Sequence, residues 1–194
     1  MQKVNLSKVN QEQIDEIANS DEPMKEYYFH FCGKLNQSYV IETPERNAIY
    51  TIDCEKVGFL KKSKYTFTNK LSFRTIQYEV SHVLTESYGI DRGFNINAKS
   101  TFKMNGTDVF DLIASMGYSI TVKIQGLRMS FDVSHYGVKV ATLKSAGANV
   151  AKADKNYGKL GDIPTQGVYI INARETDLDA IAIIAFAVSR VEFF

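Results

Sequence analysis

The sequence predicts an α+β protein in which a closed antiparallel β-barrel of about twelve strands surrounds a central, hydrophobic C-terminal helix. From Lys25 onward, short segments of period two follow one another, each ended by turn residues. The chain has 11 tyrosines and 12 phenylalanines, and aromatic side chains pack well on pleated strands. Residues 180–188 are apolar without a break, and a helix that is hydrophobic all round must be buried all round.

Residues 1–23 are predicted to form a helical appendage, and residues 24–194 the barrel domain. The helix covers Asn10–Asn19, because an asparagine N-cap is followed three residues later by Gln13. Its apolar face is small and consists of Ile14, Ile17 and Ala18. We expect this helix to be packed on the barrel or to move beside it, and to contribute little to folding.

Eleven segments have the alternation and turn spacing of strands. They are residues 26–32, 37–42, 48–53, 55–60, 65–69, 74–84, 94–104, 119–125, 129–134, 138–145 and 166–173, with a further weak strand near 149–152.

A second helix interrupts the strands at residues 106–117. Thr107 is its expected N-cap, and Gly117 is its stop signal. Its apolar residues recur at helical spacing, so we expect a short amphipathic helix on the outside of the sheet.

The C-terminal segment could also be a buried strand, because alanine and isoleucine alternate and β-branched residues favour strands. Three observations favour a helix. Thr176 and Asp179 resemble a capping box, and Asp177 adds a second acidic residue at the positive end of the helix dipole. The pattern runs longer than a typical strand, and alanine is a strong helix former.

Composition bounds the class of protein. A chain of 194 residues with 44% hydrophobic and 23% charged residues is typical of a soluble globular domain. The net charge of +1 gives no global attraction to nucleic acid, so an anionic partner requires a local patch. The nine-residue apolar run is too short for a transmembrane segment, which needs about 20 residues.

Two further observations predict a cytoplasmic protein. Residues 1–20 lack the apolar core of a secretory signal. Cys32 and Cys54 are too few for a disulfide framework and suit reduced thiols.

No motif predicts catalysis or a cofactor. His30, His82 and His135 are far apart and none has a second histidine nearby, so no metal site is expected. No phosphate-binding loop or dinucleotide fingerprint is present, and Ser100 and Lys103 would point to opposite faces of a strand. The Asp108/Asp111 and Asp177/Asp179 pairs lie at helix starts, where the dipole explains them.

Two lysine clusters could bind anions. Lys61, Lys62 and Lys64 lie at a predicted turn, and are the candidate site for a lipid headgroup or another anion. Lys152, Lys155 and Lys159 lie in a longer loop, which would lose more conformational entropy on binding. Each lysine near an anionic membrane contributes about 1 kcal/mol. The more common alternative is a solvated loop in which lysines serve solubility.

The segment FDVSHYGVKVATLKS (131–145) and the closing order GVYIINARETDLDAIAIIAFAVSRV resemble the tubby C-terminal-like superfamily, in its branch of LURP-one-related proteins and their bacterial relatives. The resemblance covers residues 26–191. It implies a closed barrel threaded by the C-terminal helix and a protein without known enzymatic activity. Tubby proteins bind phosphoinositides, but their binding residues have no counterpart that can be placed on this chain.

The sequence therefore predicts a non-enzymatic barrel protein without a cofactor, cytoplasmic or peripherally attached to a membrane. The leading hypothesis is binding of anionic lipid headgroups or a regulatory partner. The rival hypotheses are a protein-interaction or scaffold module without lipid binding, and a hydrolase with a cleft at the barrel mouth.

Overall fold

The computed structural model describes residues 11–32, 38–55, 62–86, 98–125, 128–146 and 166–189. The helices are α1 (Gln11–Ala18), α2 (Val109–Ser115) and α3 (Leu178–Val188), and a 3-10 turn at Glu175–Asp177 precedes α3. The strands are β1 (Lys25–Cys32), β2 (Tyr39–Glu42), β3 (Ala48–Glu55), β4 (Lys62–Asn69), β5 (Arg74–Glu86), β6 (Ala98–Met104), β7 (Thr107–Asp108), β8 (Tyr118–Gln125), β9 (Arg128–His135), β10 (Val138–Ser145) and β11 (Gln166–Ala173).

The described strands form one antiparallel sheet in the order β7-β6-β5-β4-β3-β2-β1-β11-β10-β9-β8. Two meanders, β1 to β7 and β8 to β11, are joined by a pairing of β1 with β11 over all eight residues of each strand. The free edges are β7 and β8, and no hydrogen-bonded pairing joins them in this part of the chain. The predicted closure of the barrel by hydrogen bonds is thus not present among the described strands.

Helix α3 lies in the core, as its sequence predicts. Ten of its eleven residues are buried, and Asp179 is the exception. The Phe186 ring has aromatic neighbours from three of the described strands, at centroid distances of 4.9–5.5 Å. These neighbours are Tyr39 of β2, Tyr65 and Phe67 of β4, and Phe102 of β6. Edge-on and tilted contacts of this kind add to the hydrophobic contribution of burial.

Helix α2 connects the two free edges of the sheet. It contacts β6 and β7 at one edge, β8 at the other, and α3 between them. Val109 and Ile113 are buried. The prediction of a short helix here is confirmed, but its place on the outside of the sheet is wrong, because its apolar face packs towards α3.

Several element ends differ from the prediction. The α2 N-cap is Asp108, whose carboxylate accepts the Phe110 N–H, whereas Thr107 belongs to β7. Helix α3 begins at Leu178 rather than at a Thr176 cap, because the 3-10 turn takes up the preceding residues. The predicted strand at 149–152, and the 56–60 part of another, lie outside the described residues.

Candidate functional site

Polar side chains converge around a cavity of about 410 Å³ at the start of α3. One wall comes from the end of β4 and the β4–β5 turn, through Asn69, Leu71, Ser72 and Arg74. The other wall comes from the N-terminal segment and the start of α3, through Glu22, Glu175, Thr176 and Asp179. The cavity therefore joins three segments of the chain, at residues 22, 69–74 and 175–179, which are 47 or more positions apart in the sequence.

Residues Lys70–Arg74 form the tip of the β4–β5 hairpin, and the buried Asn69 organises it. The Asn69 Oδ1 accepts the Leu71 N–H at 3.0 Å and the Ser72 N–H at 3.2 Å. Its Nδ2 donates to Asp179 Oδ1 at 2.9 Å. One amide thus closes the turn and ties the hairpin tip to α3.

The hairpin tip exposes apolar side chains between basic ones. Phe73 is 88% exposed and Leu71 is 44% exposed. Phe73 also has a φ of +57°, a conformation that costs energy for an aromatic residue. Lys70 is exposed, and the Arg74 side chain is 69% exposed although its Nη1 lies 3.4 Å from Asp179 Oδ2.

The Glu22 carboxylate occupies a site formed by the residues just before α3. Its Oε1 accepts the N–H groups of Glu175 at 2.7 Å and Thr176 at 3.1 Å, and its Oε2 accepts the Thr176 hydroxyl at 2.5 Å. Burial raises the pKa of Glu22, but these hydrogen bonds outweigh it and hold the pKa below its ordinary value.

Two cationic side chains, Arg174 and Lys25, lie near the Glu22 carboxylate. Arg174 attracts Glu22 electrostatically, donates from Nη1 to the Ile17 carbonyl at 2.7 Å, and has a buried Nε without a hydrogen-bond partner among the described residues. Lys25 Nζ lies 2.5 Å from Glu175 Oε2, and that hydrogen bond raises the pKa of Lys25. The N-terminal segment, Gln11–Glu22, is therefore held by polar contacts, in agreement with packing on the sheet rather than free movement.

Asp177 forms a separate buried group on the other side of the α3 start. Its Oδ1 accepts the Tyr118 hydroxyl at 2.6 Å and lies 3.5 Å from His135 Nδ1. The His135 ring stacks on Tyr118 with centroids 4.1 Å apart. Burial lowers the pKa of His135 despite the attraction of Asp177, and burial with the hydrogen bond raises that of Tyr118. Because the Tyr118 hydroxyl donates a hydrogen bond to Asp177, these three side chains anchor the start of α3.

Of the sequence-predicted lysines, Lys62 and Lys64 lie within the described residues. Lys61 lies outside the described residues, as do Lys152, Lys155 and Lys159. Lys62 and Lys64 belong to β4 and not to the predicted turn, because β5 extends far enough to pair with both. Lys64 is exposed and in register with Glu55 of β3 and Glu79 of β5.

Sequence reasoning missed Glu22 and the hairpin tip. The sequence of the tip contained a signal, since KLSFR places two apolar residues between two basic residues. Glu22 had none, because its partners lie more than 150 positions away.

Within the described ranges, no group of three or more His, Cys, Asp or Glu side chains is arranged to hold a metal ion. None of the helices in that part of the chain combines the length and hydropathy needed to cross a membrane.

No family model matches the sequence, and no curated protein matches it significantly. Among solved structures, the X-ray structure of a protein from Arabidopsis thaliana matches with a TM-score of 0.36 and 12% sequence identity. The match covers 87% of this chain and 94% of that chain. At these values the structural neighbour is distant.

Proposed function

We propose that this protein is a non-enzymatic module that binds an anionic lipid surface through the hairpin tip, on the cytoplasmic side of a membrane. The observation that carries the proposal is the exposure of Leu71 and Phe73 between Lys70 and Arg74. Apolar side chains flanked by lysine and arginine suit the boundary between acyl chains and anionic headgroups.

The energies of such contacts are sufficient for reversible attachment. Burying a Phe side chain contributes about 1.5–3 kcal/mol, and each basic residue near an anionic surface adds about 1 kcal/mol. The Phe73 ring is nearly fully exposed, so almost all of its burial would be gained on binding. Together these terms predict weak, salt-sensitive binding rather than permanent anchoring.

The hairpin tip is ordered before binding. Asn69 accepts two backbone N–H groups of the turn and donates to Asp179, so the turn is fixed to α3. A preformed tip loses less conformational entropy on binding than a loop that must first become ordered. The same property would serve a protein partner, which is the second candidate.

We further infer that the sheet curves around α3 as a barrel whose seam is filled by α2. A seven-residue helix spans about 10 Å, and α2 contacts both free edges as well as α3. The rings packed on Phe186 come from β2, β4 and β6, as expected for strands that wrap a helix. Such a barrel agrees with the resemblance to LURP-one-related proteins, and we propose membership of that superfamily on these grounds.

Vesicle flotation tests the lipid proposal. Wild-type protein should float with phosphatidylcholine vesicles that contain phosphatidylserine or a phosphatidylinositol phosphate, and should be released by high salt. Phe73→Asn should weaken binding on the order of tenfold, because it removes the ring while asparagine tolerates a positive φ. The matched control is Val122→Thr, which changes an exposed apolar residue on β8.

Charge variants test the electrostatic contribution to vesicle binding. Lys70→Glu should weaken binding, whereas Lys144→Glu, an equal change of charge on an exposed β10 residue, should not. If wild-type protein ignores anionic vesicles at low salt, the lipid proposal is wrong and the protein-interaction hypothesis replaces it.

A further inference from the structure

The Glu22 site has the chemistry of a phosphate site that is already occupied. Glu175 and Thr176 present two successive backbone N–H groups, and Thr176 adds its hydroxyl, all to one carboxylate. Successive N–H groups next to a helix start form a recurrent site for phosphate oxygens. The bound carboxylate shows that these three donors converge on an anion.

A second observation also indicates an anion. The buried Arg174 Nε has no hydrogen-bond partner among the described residues, although the same guanidinium binds the Ile17 carbonyl through Nη1. Since Arg174 already attracts Glu22 electrostatically, an anion with more acceptor oxygens than a carboxylate could use this unfilled donor.

The charges around the site are balanced while Glu22 is in place. Glu22, Glu175 and Asp179 are opposed by Lys25, Arg74 and Arg174. Glu175 pairs with Lys25, and Asp179 pairs with Arg74. Departure of the Glu22 carboxylate would therefore leave one cation in excess beside three converging donors.

The same cavity reaches the hairpin tip. Glu22 and Thr176 line one wall, and Leu71, Ser72 and Arg74 line the other. An anionic group held at the tip would thus lie next to the Glu22 site. The N-terminal segment that carries Glu22 has no fully buried residue in α1, so it is held by its polar contacts and by the half-buried Ile17.

We propose that the residues before α3 form a binding site for a phosphate group, and that Glu22 is an internal ligand that must leave before phosphate enters. The proposal rests on the proposed lipid function for its biological source, a phospholipid headgroup. Free inorganic phosphate is the other source of the same chemistry. Release of Glu22 would also loosen the N-terminal segment, which would keep its Arg174–Ile17 hydrogen bond, so that binding and loosening of the segment are coupled.

The first experiment titrates inorganic phosphate into Glu22→Ala and wild-type protein and follows the backbone amide NMR signals of Glu175 and Thr176. In Glu22→Ala these two signals should shift with phosphate at low salt. In wild-type protein the apparent affinity should be about tenfold weaker, as expected if Glu22 fills the site for about nine-tenths of the time. The matched control is Glu16→Ala, which removes an exposed carboxylate from α1 and should behave as wild type.

A second variant separates binding from damage to the fold. Thr176→Val in the Glu22→Ala background removes one hydrogen-bond donor at nearly constant volume, and should abolish most of the gain in phosphate affinity. If Glu22→Ala lowers the melting temperature but phosphate shifts neither amide, Glu22 is a purely structural cap and the proposal is wrong.

Vesicle flotation then distinguishes the sources. If Glu22→Ala gains affinity for phosphate and for anionic vesicles, the site takes a headgroup phosphate. If Glu22→Ala binds phosphate more tightly than wild type but neither protein binds vesicles, the lipid function is wrong and the phosphate site is supported. If Glu22→Ala floats no better than wild type and binds no phosphate, while wild type floats normally, the lipid function stands and the site proposal fails.

Discussion

The body and the start of α3 differ in every respect that matters for stability and binding. Residues 180–188 are apolar, buried and surrounded by side chains of the sheet. Glu175–Asp179 instead makes hydrogen bonds and ion pairs with the N-terminal segment, the hairpin tip and β8. Burial of apolar surface is non-directional and offers a polar ligand no partner, whereas directional polar contacts can be exchanged for contacts with such a ligand. The body thus holds the fold, and the start offers exchangeable contacts.

The largest effect should come from the body. Phe186→Ala removes a fully buried ring that packs against rings from three strands, and should lower the free energy of unfolding by about 3–5 kcal/mol. Urea unfolding would measure it, with Phe186→Leu as a milder control. A loss below about 1 kcal/mol would contradict the view that this ring centres the core.

The second effect concerns the buried trio at the start. Asp177→Ala leaves the buried Tyr118 hydroxyl without its acceptor, and should cost about 1–3 kcal/mol. Tyr118→Phe removes only the hydroxyl. A double-mutant cycle should therefore show coupling between the two residues. Additive effects would mean that the 2.6 Å hydrogen bond contributes nothing specific.

The N-terminal segment should contribute less. Deleting residues 1–23 removes Glu22 and the Ile17 carbonyl, and should lower the melting temperature by a few degrees, as a loss of about 1 kcal/mol produces in a domain of this size. Glu22→Ala alone should reproduce most of that change. A collapse of the fold would show that the segment belongs to the core after all.

A smaller effect should appear in the pH dependence. Because the folded pKa of Glu22 lies below its ordinary value of 4.5, Glu22 stabilises the fold above that value. The contribution should be lost as pH falls through the lowered pKa. Lys25 stays charged over this range, because its hydrogen bond to Glu175 raises its pKa. The stability difference between wild type and Glu22→Gln should therefore be present at pH 7 and vanish at low pH; a constant difference would contradict this.

The smallest effect on stability should come from the predicted lysine cluster. Lys64→Glu would place three carboxylates in register across β3, β4 and β5, which should cost less than about 1 kcal/mol. Lys61, Lys62 and Lys64 stay a predicted anion site. Replacing all three with Glu should weaken vesicle flotation less than Phe73→Asn does, because Lys64 already lies between two glutamates. A larger loss of vesicle binding would indicate that these three lysines form the anion site.

The sequence alone determined the elements whose signals are local. An unbroken apolar run predicts a buried helix, and alternation predicted β10 and β11 to the residue, because both depend on which face of a short segment is buried. The start of α3 was harder to predict, since a 3-10 turn precedes the helix and the Glu175 N–H of that turn bonds to Glu22, a residue distant in sequence.

Only the tertiary structure decided what surrounds these elements. Glu22 meets Thr176, Asn69 meets Asp179, and Tyr118 meets Asp177 across separations of 154, 110 and 59 residues. No periodicity records such pairs, because a polar side chain finds its partner through the paths of the strands and not through its neighbours in sequence. The apolar pattern that predicts burial extends over many residues and can therefore be recognised in the sequence. A binding site rests on a few single contacts, which exist only after the sheet has brought its distant segments together.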